Sequence, residues 1–191
     1  MPRLSRRSFL KRINGIWAVS LASSLVSPIW AQSAPGFADS FWECPRSIFL
    51  RHHSGELVKV VFWQDGRVIV SAHNELSWFM RDRNVNRAIL INTQLLDVLY
   101  AVGGWLNYFG VSDPIILNSG YRDPQRNLTI EGAARDSLHT VGGAVDIRIQ
   151  GVSDLQVSRF GVWLSAGGVG WYPGKVFTHL DIGKRRIWQG S

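Results

Sequence analysis

Apolar positions along the 191-residue chain follow two different periods, and the first is that of β-strands. The segment "RSIFLRHHSGELVKVVFWQDGRVIV" is rich in β-branched and aromatic residues and is interrupted at Ser54-Gly55 and at Asp65-Gly66. These dipeptides are typical of tight turns between antiparallel strands. We therefore predict two hairpin turns, and we interpret His52 and His53, which precede the first turn, as a solvated loop end.

The second period is helical and begins at Asn92, a suitable N-cap residue. The apolar residues that recur at helical spacing after it are Leu95, Val98, Leu99, Val102, Trp105, Leu106 and Phe109. A further helix is predicted from Ser153, because Ser153 and Gln156 match the capping-box pattern. Gly167-Gly168 is the predicted end of that helix.

Short strand-like segments lie between and after these helices. "PIILNSG" (residues 114–120) predicts a buried strand, and Asp123 followed by Pro124 predicts the start of a helix. Two more strands are predicted at residues 169–172 and 177–182. Because strands and helices are mixed without regular alternation, we predict a single α+β domain with a small, mostly antiparallel sheet and flanking helices.

The beginning of the chain has the composition of an export signal. Five cations occur there, Arg3, Arg6, Arg7, Lys11 and Arg12, and no acidic residue precedes Asp39. A moderately apolar run with small residues near its end follows, and Asn14, several serines and Pro28 interrupt it, so it is marginal as a membrane anchor. Consecutive arginines in this position are typical of a twin-arginine signal.

We therefore predict that residues 1–33 are a twin-arginine export signal, recognised by the twin-arginine translocation machinery and then removed. Residues 34–45 are predicted to be a linker, and residues 46–191 the functional domain, a periplasmic monomer. The chain has a net charge of +7, which falls to +2 without the five leader cations. A basic surface that tracks nucleic acid would keep its charge after this subtraction, so we predict no nucleic-acid partner.

Cys44 is the only cysteine, so no internal disulfide can form. The fold must be held by its core or by a metal. The stretch "SLHTVGGAVDIRI" (residues 137–149) is the first candidate for such a site. Gly142-Gly143 permits a sharp bend that brings Asp146 back beside His139. Asp146 lies in an apolar strand, where Arg148, a hydrogen-bond network or a cation must compensate its charge.

A second group of polar residues interrupts the apolar strand "FTHLDIG". His179 and Asp181 are two residues apart and project from the same face. A His, Asp, His set made of His139, Asp146 and His179 is the ligand arrangement of catalytic zinc sites that keep one position for water. From spacing alone, histidine and aspartate side chains that merely orient each other are an equal alternative.

The motifs around these residues resemble a known family. "SLHTVGGAVD" fits the pattern Ser-x-His-x-x-Gly-x-Ala-x-Asp and is similar to the zinc motif of the D-alanyl-D-alanine metallopeptidases, a group that includes VanX-type dipeptidases and the hedgehog fold. "SGYRDPQRN" (residues 119–127) and "GGVGWYPGKVFTHLDIG" (residues 167–183) match in the same order. The leader and "RHHSGE" look most like exported murein endopeptidases of the K type.

The resemblance implies that His139, Asp146 and His179 bind Zn²⁺ and that the chain hydrolyses peptide cross-links between the peptide stems of peptidoglycan. It also makes Asp181 the candidate catalytic base, since relatives place an acidic residue near the last histidine ligand. The order His-x-Asp, with no later histidine, departs from that pattern. Asp181 is therefore a candidate for three roles: base, orienting partner of a ligand, or ligand.

Arg122 corresponds to an arginine with which relatives hold the substrate or the developing oxyanion, and its alternative is a salt bridge with Asp123 or Asp136. Trp171 and Tyr172 precede the last predicted strand and either wall a peptide groove or belong to the core. Two other functions stay open, a non-catalytic zinc-containing cell-wall binding module and a D-Ala carboxypeptidase. The bond cleaved, D-Ala–diaminopimelate or diaminopimelate–diaminopimelate, is open as well.

Overall fold

A computed structural model describes residues 39–190, so the predicted export signal and residues 34–38 of the predicted linker lie outside the described part. The helices are α1 (Asp39–Glu43), α2 (Val70–Phe79), α3 (Thr93–Tyr108), α4 (Pro124–Asn127) and α5 (Asp154–Leu164), with a 3₁₀ helix at Leu138–Val141. The strands are β1 (Arg46–His52), β2 (Leu57–Gln64), β3 (Arg67–Val68), β4 (Ile115–Ser119), β5 (Ala144–Arg148), β6 (Gly168–Tyr172), β7 (Phe177–Asp181) and β8 (Arg186–Gln189).

The eight strands form one sheet in the order β3-β2-β1-β4-β5-β7-β6-β8. Strands β1 and β4 pair in parallel, as do β6 and β8, and the other neighbours are antiparallel. This confirms the predicted α+β domain with a mostly antiparallel sheet. Helix α3 packs against β1, and α5 packs against β6 and β7, so the apolar core lies between the helices and the sheet.

The predicted helix starts are confirmed by their caps. The Asn92 side chain accepts a hydrogen bond from the backbone of Gln94 at 2.9 Å, and Ser153 and Gln156 bond each other's backbone as a capping box. The predicted end of α5 is wrong by three residues. The helix ends at Leu164, because Ser165 takes up the left-handed conformation with φ of 57° before the glycines are reached.

Several features differ from the sequence predictions. Helix α1 lies within the segment predicted as a linker, and its Trp42 is buried in the core. Helix α2 and strand β8 have no counterpart among the predicted elements. His53 is exposed, but His52 is buried because it is the last residue of β1, so its interpretation as a solvated loop end is wrong. No helix among residues 39–190 has the length and apolar character needed to cross a membrane.

Candidate metal centre

The centre of the sheet brings together two of the three predicted ligands. Strands β5 and β7 are antiparallel, and their register places Asp146 directly opposite His179. Alternate residues on a strand face opposite sides of the sheet. Val145 and Leu180 therefore point into the apolar core, while Asp146 and His179 share the other face.

The third predicted ligand, His139, comes from the 3₁₀ helix that precedes β5. The chain reverses after it at Gly142, which has φ of 66° and whose added Cβ would lie 3.1 Å from the carbonyl oxygen of Leu90. Only glycine adopts this conformation without strain. His139 Nδ1 lies 2.7 Å from the carbonyl oxygen of Gly120, and since a carbonyl only accepts, Nδ1 carries the proton. Nε2 of the same ring is left free to bind a metal.

Three ligand atoms converge at this point. His139 Nε2 lies 3.2 Å from His179 Nδ1 and 3.3 Å from Asp146 Oδ1, and the latter two atoms are 2.9 Å apart. Neighbouring ligands in a tetrahedral zinc site, with bonds of about 2.0–2.1 Å, are separated by roughly 3.3 Å. The three side chains are buried and form a group that can hold a metal ion. The donor set and its spacing therefore fit a divalent metal.

The charges of the centre favour an ionised Asp146. Burial acts to raise the pKa of Asp146, but His139 and His179 outweigh it, so this pKa lies well below its ordinary value. For His179, burial acts to lower the pKa, whereas hydrogen bonds to Asp146 and Asp181 raise it above the ordinary value. Arg122 adds a cation 3.5 Å from Asp146 Oδ2, while Arg148 is exposed at the end of β5. The carboxylate is thus compensated by a network and is available as an anionic ligand.

Asp181 contacts His179 from the side away from the ligand triangle. Its Oδ2 lies 3.0 Å from His179 Nε2 and accepts a hydrogen bond from Arg186 Nη2 at 2.7 Å. Its Oδ1 accepts hydrogen bonds from the backbone of Gly168 at 2.9 Å and of Gly183 at 2.8 Å. The side chain is completely buried. Burial acts to raise the pKa of Asp181, but the hydrogen bonds with His179, Gly168 and Gly183 lower it well below its ordinary value.

Arg122 lies beside the ligands and does not form either of the salt bridges considered from the sequence. Its guanidinium donates to Asn127 Oδ1 at 3.1 Å and to Ser119 Oγ at 3.4 Å, in addition to its contact with Asp146. The Nε atom is buried and has no acceptor among the described residues. Burial is the main influence on this guanidinium and lowers its pKa from the ordinary value. A buried guanidinium with a spare donor is suited to hold an anionic group of a ligand.

A cavity of about 470 Å³, which we call the metal-site cavity, opens over His139, Asp146 and His179. Tyr172 is one of the residues that line it. Trp171 belongs to a neighbouring surface and donates its indole N–H to Asp154. The other lining residues are Arg122, Ile130, Glu131, Gly132, Ala133, Ala134, Asp136, Ser137, Leu138, Lys175, Phe177, Arg186, Ile187 and Trp188.

Sequence reasoning missed the contribution of β8 to this cavity. Arg186, Ile187 and Trp188 reach the cavity because β8 pairs in parallel with β6 at the edge of the sheet. A short strand after a turn gives no periodic signal of its own. The opposite charges of Asp181 and Arg186, which lie close together in the chain, were a possible signal that Arg186 lies near the site. The two residues form an ion pair.

An α+β domain with a mostly antiparallel sheet, and a buried His, Asp, His group that can hold a metal at the floor of a cavity, is consistent with the resemblance to the D-alanyl-D-alanine metallopeptidases. Comparison with known proteins agrees with this class. A protein-family model described as peptidoglycan L,D-endopeptidase MepK matches residues 43–188. The chain belongs to this family.

Individual relatives carry the same description. The peptidoglycan L,D-endopeptidase MepK of Escherichia coli (strain K12) is 35% identical over 159 residues, which cover 81% of this chain and 86% of the relative. The protein of that name from Shigella flexneri matches to the same extent. A probable peptidoglycan L,D-endopeptidase MepK from Haemophilus influenzae is 32% identical over 120 residues, 61% of this chain and 63% of the relative.

Proposed function

We propose that this chain is a metal-dependent murein endopeptidase, which hydrolyses peptide cross-links between the stems of peptidoglycan with a metal-activated water. Membership of the family supports the peptidase activity and the peptidoglycan substrate. The observation that carries the mechanism is the convergence of His139, Asp146 and His179 on one point below an open cavity. A binding module without activity has no need of such an accessible metal position.

Zinc is the metal that best suits this donor set. Two imidazole nitrogens and one carboxylate oxygen in a tetrahedral arrangement, with a fourth position open to the cavity, are typical of catalytic zinc. When bound, such a metal lowers the pKa of a coordinated water to about 7 and polarises the scissile carbonyl. The proposed ligands are His139 Nε2, Asp146 Oδ1 and His179 Nδ1, with the other nitrogen of each ring held by Gly120 and Asp181.

For Asp181 the contacts favour the orienting role over that of a base or a ligand. Its two oxygens accept hydrogen bonds from Gly168, Gly183 and Arg186 in addition to the contact with His179, and it does not line the cavity. A carboxylate behind a histidine ligand fixes the tautomer and the orientation of the ring. A base must be within hydrogen-bond reach of the reacting water. Among the described residues, Glu131 and Asp136 are exposed carboxylates that do line the cavity.

Arg122 and Tyr172 are the proposed substrate contacts. The guanidinium of Arg122 lies beside the ligands and supplies a fixed positive charge to a carboxylate of the stem or to the oxyanion of the tetrahedral intermediate. Tyr172 stacks on Phe177, with ring centroids 4.5 Å apart, and forms a firm wall of the cavity. A role for Trp171 in binding the substrate stays a prediction.

The relatives are named L,D-endopeptidases, which favours one of the two cross-links. A bond between two diaminopimelate residues joins the L-centre carbonyl of one to the D-centre amine of the other. The D-Ala–diaminopimelate bond instead joins two D centres. We therefore assign the diaminopimelate–diaminopimelate cross-link as the substrate and place the D-Ala carboxypeptidase activity second.

The proposed substrate lies outside the cytoplasmic membrane. A chain that acts on it must be exported, and the twin arginines Arg6 and Arg7 supply the signal for the twin-arginine translocation machinery. We place the processed chain in the periplasm as a monomer.

The experiment that tests this function is the digestion of purified cross-linked muropeptide dimers by the zinc-loaded chain. We expect release of monomers, loss of release with a chelator, and recovery when zinc is added back. His139→Ala should release no monomers, whereas Glu75→Gln, which changes an exposed residue of α2, should act as the unaltered chain does. Intact dimers after incubation with the zinc-loaded chain would disprove the endopeptidase function.

A further inference from the structure

A second cavity lies beside the metal-site cavity and is lined by four arginines. It has a volume of about 220 Å³ and shares Arg122 and Ile130 with the metal-site cavity. We call it the basic pocket. Its lining residues are His52, His53, Arg81, Asp82, Arg83, Asn84, Leu117, Asn118, Ser119, Gly120, Tyr121, Arg122, Arg126 and Ile130. Four of these lining residues are arginines, and one, Asp82, is acidic.

The carboxylate of Asp82 already has hydrogen-bond and ion-pair partners within the protein. Asp82 is buried and accepts hydrogen bonds from the backbone of Asn84 at 3.0 Å and of Asp123 at 2.9 Å, and it forms an ion pair with Arg126 at 3.1 Å. These contacts fix the loop after α2 against the start of α4. Asp82 therefore pairs with Arg126, Glu56 pairs with Arg83 and Asp146 pairs with Arg122, and among the described residues Arg81 is left without a carboxylate partner.

Arg81 and Arg83 have donors to spare. Arg81 donates to Asn86 Oδ1 and to the carbonyl of Trp78, and it has no carboxylate partner among the described residues. Arg83 forms an ion pair with Glu56 at 2.6 Å, but its Nε atom is buried without an acceptor, as is Nε of Arg122. Buried donors without acceptors are uncommon in proteins and mark a place where a ligand supplies the missing atoms.

His52, at the end of β1, also lines the basic pocket. Its pKa is lowered to about 4, first by burial and then by Arg83 and His53, so the ring is neutral at pH 7. Its Nδ1 lies 2.8 Å from Ser54 Oγ and accepts a hydrogen bond from the Ser54 backbone N–H. A neutral ring that is already bonded adds no negative charge to the pocket. The guanidinium of Arg81, bonded only to neutral acceptors, keeps its positive charge in the pocket, so the pocket fits an anion.

We propose that the basic pocket is a subsite for a free carboxylate of the substrate, namely the distal carboxylate of the diaminopimelate residue that supplies the scissile carbonyl. This proposal rests on the proposed function. The two centres of diaminopimelate are separated by three methylene groups, so a residue with one centre at the metal places its other centre in an adjacent cavity.

Such a subsite determines which cross-link is cleaved. In the diaminopimelate–diaminopimelate bond, the residue on the carbonyl side carries a distal carboxylate. In the D-Ala–diaminopimelate bond, that residue is alanine, which has no distal carboxylate to offer. Arg81 and Arg83 would then select the L,D cross-link by binding a group that the D,D cross-link lacks at this position.

The test uses two synthetic L,D cross-linked peptide dimers that differ only in this distal group, a carboxylate in one and a carboxamide in the other. The zinc-loaded chain should show a KM about tenfold higher for the carboxamide, with kcat nearly unchanged. Arg81→Gln/Arg83→Gln should raise KM for the carboxylate dimer about tenfold and remove the preference. Arg67→Gln, which removes an exposed arginine on β3, is the matched control and should keep the preference for the carboxylate dimer.

The outcomes separate the subsite from the function. Arg81→Gln alone leaves the Arg83–Glu56 pair intact, and it should show a smaller loss of the same preference, with thermal unfolding and bound zinc as checks on folding. Equal KM values for both dimers with the unaltered chain, or an equal loss on both dimers in the double variant, would overturn the subsite. Cleavage of neither dimer by the unaltered chain would overturn the proposed function, and the subsite with it.

Discussion

Two of the places where the domain buries charge are built differently. Arg46, at the start of β1, is 2% exposed, and its guanidinium donates to the carbonyl of Trp42 at 2.8 Å and pairs with Asp97. It also stacks over the ring of Trp63 at 4.1 Å. At the metal centre, by contrast, one possible ligand atom from each of His139, Asp146 and His179 lies close to the other two. The first cluster is closed by its own partners, whereas the second can hold a cation.

This difference separates a structural charge cluster from a functional one. A buried guanidinium whose donors are satisfied and whose faces are covered by indole rings contributes to stability and specificity of packing. A group of acceptors converging on one point costs stability until a ligand occupies it. The cavity above the second cluster, about 470 Å³, gives that ligand and a substrate access. The following variants test this distinction.

Asp146→Asn should have the largest effect, because it removes the anionic ligand and keeps the side-chain volume. We expect a loss of kcat/KM on cross-linked muropeptides of about 10³-fold or more, since a catalytic metal supplies several kcal/mol of transition-state stabilisation. Zinc affinity, measured by competition with a chromophoric chelator, should fall as well. Asp136→Asn, another carboxylate of the same cavity, is the control and should keep its zinc affinity. Unchanged zinc binding in Asp146→Asn would remove Asp146 from the ligand set.

Arg46→Met should lower the stability of the chain but keep its zinc affinity and activity. Removing one partner of a buried ion pair leaves Asp97 and the carbonyl of Trp42 without their donor, and we expect the free energy of unfolding to fall by about 2–3 kcal/mol. Urea denaturation of the chelated chain measures this loss. Zinc affinity and kcat/KM of the folded variant should stay within about twofold of the unaltered chain, because the distant cluster shares no partner with the metal centre. A parallel loss of zinc affinity would show that the two clusters are coupled.

Asp181→Asn distinguishes the roles that the sequence left open. As an orienting partner, Asp181 supports zinc binding through His179, so zinc affinity should fall about 10–100-fold while kcat at saturating zinc is largely kept. A base would give the opposite result, with unchanged zinc affinity and a kcat lower by about 10²–10⁴-fold. Arg186→Gln removes a half-exposed partner of Asp181 and should reproduce a weaker form of the zinc effect.

The sequence predicted the parts of this molecule whose signals are local. The cap residues Asn92 and Ser153, the hairpin turns and the glycine bend at Gly142 each follow from a few neighbouring residues. The opposition of Asp146 and His179 is a register between strands far apart in the chain, and the spacing of the motifs pointed to it only through the family resemblance. The basic pocket was not predictable, because it joins the end of β1, the loop after α2 and the loop after β4.

The smallest expected effect is a change in how the free energy of unfolding depends on pH. Without metal, His179 has a raised pKa because two carboxylates face it, so its contribution to stability is complete below about pH 6.5 and is lost as pH rises through the raised value. The free energy of unfolding of the chelated chain should therefore fall as the pH rises above about 6.5. Asp146 and Asp181, with lowered pKa values, contribute stability above about pH 4 that is lost only at lower pH.

The zinc-loaded chain should have the opposite slope over the same range. Its ligands bind the metal in their deprotonated forms, so zinc affinity rises with pH and stabilises the folded chain further. Urea denaturation at fixed free zinc, beside the chelated chain, measures both slopes, and His53→Gln should leave both unchanged. Slopes of the same sign with and without zinc would mean that His179 does not change from a protonated partner of two carboxylates to a metal ligand. The metal centre would then be a closed charge cluster like that around Arg46.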